Sequence, residues 1–270
     1  MLNDELMESN MEKRKAIVTG AYGAIGQAIA AGMARKGYDL TVVGRDETKL
    51  KSLAAYLEKE TGNNPIAYSA VDLSRKSEIQ AFAREYSGPL HILINNAAAT
   101  PRARQETPDG IEMQFATNVL GYVWMMEFLH PLMEGQPDAR IVNVASYWAG
   151  DLDLNDLEFK KRSYNNDTAY RQTKQANRML TVAYADLLAP KNIAVLAAHP
   201  GDVNSKLSNN LGYGGWEPPE QGAATPLYCA TDPSLKGITG KYFENGKETF
   251  CGFSQDDQGI KKLLEICRGY

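Results

Sequence analysis

Residues 15–19, Lys-Ala-Ile-Val-Thr, form a short β-branched run that passes directly into glycines at 20, 23 and 26, and then into helical apolar spacing over 24–37 that ends on Gly37. This strand, glycine turn and helix constrain the chain more than any other feature. A turn this tight brings backbone against backbone, and the free N–H groups and positive dipole end of the new helix face whatever lies beyond the strand. In that context the trio points to a pyrophosphate. A βα turn without a ligand is the alternative, and glycines without the flanking strand and helix would carry little weight.

The same alternation continues to the C-terminus. Apolar strand runs occupy 38–44, 64–71, 91–97, 139–146, 192–201 and 238–244, and helical patterns occupy 46–61, 76–86, 110–133, 168–189, 220–230 and 256–267. Asp46 is placed to cap the second helix. Strands separated by helices of ten or more residues imply an α/β fold with a mostly parallel sheet, here seven-stranded, and helices on both faces. The strands read as near-continuous apolar runs, as strands covered on both faces should.

Composition sets bounds. The 270 residues suit one α/β domain from residue 14 onward, preceded by a solvated extension at 1–13. A net charge of −4 removes the simplest basis for sequence-independent nucleic-acid binding. Cys229, Cys251 and Cys267 are odd in number and widely spaced, which disfavours a disulfide framework or a zinc site and suits a reducing, cytoplasmic setting. No metal site is expected, and no apolar run approaches the roughly 20 residues of a membrane span.

The second strand ends in Val43, Gly44, Arg45 and Asp46. An acid at a strand end of this kind would bind the ribose 2′-hydroxyl of NAD, whereas an arginine accommodates the 2′-phosphate of NADP. Gly44 leaves the strand-end slot without a carboxylate, and Arg45 supplies a planar, phosphate-matching donor. NADP(H) is therefore favoured over NAD(H). Asp46, which lies 46 − 26 = 20 residues after the last glycine, keeps the NAD reading open.

Tyr170 and Lys174 stand at i and i+4 on one helix face. Upstream, Ser146 closes the fifth strand and Asn118 lies within the helix before it. A tyrosine normally titrates near pH 10, so it can exchange a proton at neutral pH only where positive charge favours its phenolate. A lysine and an oxidised nicotinamide would supply that charge, and Ser146 would hydrogen-bond the substrate oxygen. The Tyr-x-x-x-Lys spacing alone is common by chance. It gains meaning from the serine upstream and the glycine turn.

In this order, TGAYGAIG, VGRDETKL, VDLS, INNAA, TNVLGYV, RIVNVASYWAG, AYRQTKQAN, HPGDVNSKL and TGKYFENGK resemble the short-chain dehydrogenase/reductase superfamily, in its retinol-dehydrogenase-like branch. The resemblance spans about residue 14 to the C-terminus. It implies a Rossmann-type three-layer sandwich and an oxidoreductase interconverting a carbonyl and an alcohol. It implies cofactor contacts from Gly20, Tyr22, Gly23, Ala24, Ile25 and Gly26, and from Arg45, Asp72 and Leu73 near the adenosine. Asn96 and Ala97 would line the cleft, and Pro200, Gly201, Val203 and Ser205 would pass the nicotinamide. Tyr170 would be the general acid or base and Lys174 would hold the ribose. Ser146 would orient the substrate oxygen, and Asn118 would hold its helix and a relay water. Three positions depart from the family pattern: Ala24, Ala98 and Ala145 each stand where a glycine, a glycine and a serine are common.

Residues 203–220, with Trp216, suggest a lid over the substrate, and Tyr147 and Trp148 an aromatic wall beside Ser146. The polar segment 151–167 reads as a solvated excursion. The expected partner is a small carbonyl or alcohol, not a nucleic acid or a membrane. Homo-oligomers and monomers both occur among such proteins. Two other functions fit parts of the pattern: an extended-type sugar-nucleotide epimerase or dehydratase, whose glycine spacing is similar, and a cofactor-binding sensor without turnover.

Overall fold

A computed structural model describes residues 13–270 of the chain. The expected N-terminal extension lies outside the described residues except for Lys13. All seven expected strands are present: β1 (Lys15–Thr19), β2 (Asp39–Gly44), β3 (Ala67–Ala70), β4 (Ile92–Asn95), β5 (Ala139–Val144), β6 (Ile193–Ala198) and β7 (Lys241–Glu244). They run parallel in the order β3-β2-β1-β4-β5-β6-β7. A two-residue strand, β8 (Lys247–Glu248), adds an antiparallel edge beside β7, making the sheet eight-stranded.

The helices are α1 (Ala24–Arg35), α2 (Glu47–Thr61), α3 (Lys76–Glu85), α4 (Gly121–Met133), α5 (Asn166–Leu188), α6 (Lys206–Leu211), α7 (Pro219–Thr231) and α8 (Asp257–Arg268). Strand side chains alternate between two cores. Ile17, Leu93, Ile141 and Val195 face α3, α4, α5 and α8, while Val18, Ile94, Val142 and Leu196 face α1, α2 and α7. Among the described residues, no helix is long and apolar enough to cross a membrane.

Strand order reverses between β1 and β4, so the carboxyl ends of these two strands open a crevice, the usual place for a ligand in such sheets. The glycine turn occupies one side of it. Gly20 has φ +62° and a Cβ there would stand 2.6 Å from Ala97 Cα; a Cβ on Gly26 would stand 2.2 Å from the Gly20 carbonyl oxygen. Only glycine permits both approaches.

Three regions differ from expectation. The helix expected from Gly110 starts at Met113 and passes through a π-helical turn, Ala116–Leu120, before α4. The expected loop after β6 contains α6. The 151–167 segment is only partly solvated: Asp151, Asn155, Lys160 and Lys161 are exposed, but Leu157 and Phe159 are buried, as are Asp156 and Glu158. Asp156 tolerates burial because its carboxylate accepts from the backbone amides of Lys160, Lys161 and Arg162.

Candidate active site

Thr19, the last residue of β1, ties the crevice together. Its hydroxyl accepts from the Asn96 and Ala97 amides (2.9 and 3.2 Å), and Asn96 Nδ2 returns to the Thr19 carbonyl (2.9 Å). Gly23 precedes α1 with no side-chain cap. The first-turn amides of α1, including those of Ala24 and Ile25, therefore have no side-chain acceptor from that position. A close-approach glycine cradle before an uncapped helix start is the arrangement a pyrophosphate requires, so these residues fit a dinucleotide.

At the end of β2, the Tyr22 ring lies on Gly44: a Cβ on Gly44 would stand 2.6 Å from Tyr22 Cε1. Lys49 Nζ sits 5.5 Å from the centre of the same ring. Arg45 is exposed beside them. Asp46 caps α2, accepting from the Lys49 amide at 3.1 Å, and its carboxylate also pairs with Lys49 Nζ at 3.1 Å. Asp72 accepts from the amide and hydroxyl of Ser74 (3.0 and 2.8 Å), fixing the turn after β3. Leu73 is buried, with its carbonyl against Gly121.

Across the crevice, α5 faces the end of β5. The Ser146 hydroxyl lies beside the Tyr170 phenol and accepts from the Trp148 amide at 3.0 Å. Tyr170 and Lys174 are both buried. Lys174 Nζ donates to the Val144 carbonyl at 2.7 Å and lies 5.6 Å from the centres of the Tyr170 and Tyr122 rings. Burial pushes Tyr170 up to about 12, opposed by the neighbouring Ser146 side chain, and pushes Lys174 down to about 7. Burial thus favours the neutral form of both groups.

Asn118 sits in the π-helical turn. Its Oδ1 accepts from the Ala99 amide (2.7 Å), and its Nδ2 donates to the Ala99 carbonyl (3.0 Å) and to Thr173 Oγ1 (3.3 Å). The side chain therefore joins the segment after β4 to α5, three residues from Tyr170. Tyr122, one turn beyond Asn118, donates to the Val144 carbonyl at 3.4 Å and shares that acceptor with Lys174.

Above the phenol stand aromatic side chains. Tyr147 and Trp148 meet edge-on at 6.1 Å, and Trp148 meets Tyr213 at 5.3 Å. Trp148 Nε1 donates to Asp167 Oδ1 at 2.9 Å, and the Tyr213 hydroxyl donates to the same oxygen. The chain after β6 runs through Pro200 and Gly201 to Val203, which pairs with Glu217, closing a neck below α6. Glu217 Oε2 accepts from the Asp202 amide at 2.6 Å and fills the space a Gly201 Cβ would need. Ser205 caps α6 in a reciprocal pair with Ser208. Trp216 is 77% exposed and takes no part in these ring contacts.

The structure thus brings Ser146, Tyr170, Lys174 and Asn118 together, with Tyr147 and Trp148 at the rim. Sequence reasoning missed Tyr122, Asp167, Tyr213 and Glu217. Their only signal was helical spacing for Tyr122 (i+4 from Asn118) and Asp167 (i−3 from Tyr170).

A model of the short-chain dehydrogenase family matches residues 14–214. A probable oxidoreductase of Streptomyces antibioticus is 34% identical, covering 91% of this chain and 89% of its own length. Mouse retinol dehydrogenase 11 is 30% identical, covering 98% of this chain and 88% of its own. The crystal structure of a putative uncharacterized protein from Mycobacterium paratuberculosis superposes with a TM-score of 0.79 at 25% identity, covering 97% of this chain and 96% of that one. The chain belongs to the short-chain dehydrogenase/reductase superfamily of NAD(P)-binding oxidoreductases, in its retinol-dehydrogenase-like branch.

Proposed function

We propose that the protein is an NADP(H)-dependent oxidoreductase that interconverts an apolar aldehyde or ketone and the corresponding alcohol, with Tyr170 as the proton-transferring group. The observation that carries this reading is the placement of the Ser146 hydroxyl beside the buried Tyr170 phenol, with Lys174 one helical turn behind. When bound, the nicotinamide would supply the hydride. In reduction, Ser146 and Tyr170 bind the carbonyl oxygen, and Tyr170 passes its phenolic proton to that oxygen as negative charge develops. In oxidation the phenolate takes the proton back. Lys174, released from Val144, would hold the ribose and favour the phenolate. Asn118 holds the wall after β4 against α5, so that Thr173 and its neighbour Lys174 keep their places.

NADP(H) is favoured by the end of β2. Tyr22 occupies the volume that a strand-end carboxylate would need, Asp46 is committed to capping α2, and Arg45 stands exposed with Lys49 nearby to meet a 2′-phosphate. The apolar substrate is suggested by Tyr147, Trp148 and Tyr213, which are 45%, 38% and 51% exposed around the mouth. Residues 203–217 serve as the lid.

The test is NADPH consumption with a panel of apolar aldehydes and ketones, and the reverse reaction with alcohols. Turnover that prefers NADPH and is lost in Tyr170→Phe is expected. No turnover with either cofactor across the panel would overturn the reading.

A further inference from the structure

We infer that Arg178 is a positioning residue for Ser146: from the same face of α5 as Tyr170 and Lys174, it grips the Ser146 main chain and so sets where the Ser146 hydroxyl stands. This inference rests on the proposed role of Ser146 and extends it to a third member of the helix stripe.

Residues 170, 174 and 178 follow at i, i+4 and i+8, and each engages the end of β5. Tyr170 meets the Ser146 hydroxyl, Lys174 Nζ the Val144 carbonyl, and Arg178 Nη2 the Ser146 carbonyl. The sheet ladder stops supplying partners here. The Ala145 amide still bonds the Ala198 carbonyl of β6 at 2.9 Å, but the Ser146 carbonyl lies beyond the paired strand, and a buried carbonyl needs a donor. Arg178 provides it.

The guanidinium is itself fixed. It stacks 3.7 Å from the centre of the Tyr242 ring and lies 3.8 Å from Glu244 Oε1, which also accepts from the Tyr242 hydroxyl at 2.6 Å. Arg178 is buried and Phe253 lies on its far side, 5.6 Å from the ring centre. A planar, stacked, charged donor of this kind is poorly replaced by lysine.

A second contact acts on the next residue. The Tyr147 amide donates to His199 Nδ1 at 3.3 Å, with the two rings edge-on at 4.7 Å. That bond requires an unprotonated Nδ1. Burial, and next the Arg178 charge, push His199 down to about 4, so the acceptor persists. The Ser146 carbonyl and the Tyr147 amide are the two polar groups of one peptide bond, and Arg178 holds the first and favours the partner of the second. Fixing this peptide fixes the approach of the Ser146 hydroxyl to the Tyr170 phenol.

The test uses the double variant Arg178→Met/Glu244→Gln, which removes both charges and so leaves no unpaired carboxylate. Amide hydrogen exchange is followed across residues 144–150, beside cofactor binding by NADPH fluorescence and steady-state kinetics. Expected are exchange at Tyr147 and Trp148 at least about tenfold faster and kcat lower by about 10- to 100-fold, as for a slightly misplaced reacting group. NADPH affinity should stay within about twofold and Tm should be preserved. Arg178→Lys should recover part of both effects. A folded double variant with wild-type exchange at Tyr147 and Trp148 overturns the inference, and so does a general loss of protection along α5. If the double variant does not fold, Arg178→Lys decides alone: intermediate exchange supports the inference and unchanged exchange overturns it. A wild-type protein without turnover on the whole panel sinks the proposed function, while the exchange measurement still decides the role of Arg178.

Discussion

The Tyr22 ring lies directly on Gly44, close enough that a Cβ at position 44 would stand 2.6 Å from Tyr22 Cε1. A carboxylate at this strand end can therefore enter only by moving the Tyr22 ring. Gly44→Asp should displace Tyr22 and weaken both cofactors, and should not convert the protein to NAD use. Arg45→Ala should lower kcat/KM with NADPH about 10- to 100-fold, the worth of a charge-assisted hydrogen bond, and leave NADH nearly unchanged. Kinetics with both cofactors check this; an equal loss with each would contradict it.

Removing the phenol proton should separate chemistry from binding. Tyr170→Phe keeps the ring, so NADPH affinity should hold, while kcat falls by at least about 100-fold. Ser146→Ala should also lower kcat and retain cofactor. Fluorescence titration beside turnover measures both.

Lys174 gives the free protein a pH signature. Burial lowers its folded pKa to about 7, below the unfolded value of 10.5. Below pH 7 both states carry the proton and folding bears the full cost of burying the charge. Between about 7 and 10.5 the unfolded state binds more protons, so stability rises with pH through this window. Lys174→Met should remove that rise. Melting temperatures of both proteins from pH 6.5 to 9.5, without cofactor, test it; parallel profiles would refute it.

The Asp167 carboxylate joins the proposed lid to the aromatic rim, since Trp148 Nε1 and the Tyr213 hydroxyl converge on one oxygen. Tyr213→Phe should raise KM for substrate several-fold, leave kcat within about twofold and speed proteolysis within 203–216, consistent with one partly exposed hydrogen bond. An unchanged KM and cleavage rate would separate Tyr213 from lid closure.

The sequence made the sheet legible because its strands are continuous apolar runs: β1 was expected at 15–19 and lies there. Asp46 is legible as the cap of α2 because its partner amide is three residues away. The misses are those where local pattern and tertiary partners part. The π-helical turn around Asn118 keeps ordinary helical periodicity, and the partner that Asn118 holds, Ala99, lies 19 residues upstream. The 151–167 segment looked solvated because its charges were read as facing water, when Asp156 satisfies itself on the next turn of backbone. Arg178 showed its spacing from Tyr170 and Lys174, yet its partners at Ser146 and Tyr242 lie 32 and 64 residues away. No window of sequence joins them.

The neck formed by Val203 and Glu217 has an evolutionary consequence. Because main-chain bonds between 202–204 and 216–217 close the segment at its base, the stretch between can change in length while its two ends stay fixed to β6, provided that contacts such as Tyr213 to Asp167 of α5 are kept or replaced. On the proposed function, substrate range and hydride chemistry are thereby separately heritable: a new substrate is acquired through the residues between 204 and 216 while Tyr170 and Lys174 of α5 stay the same.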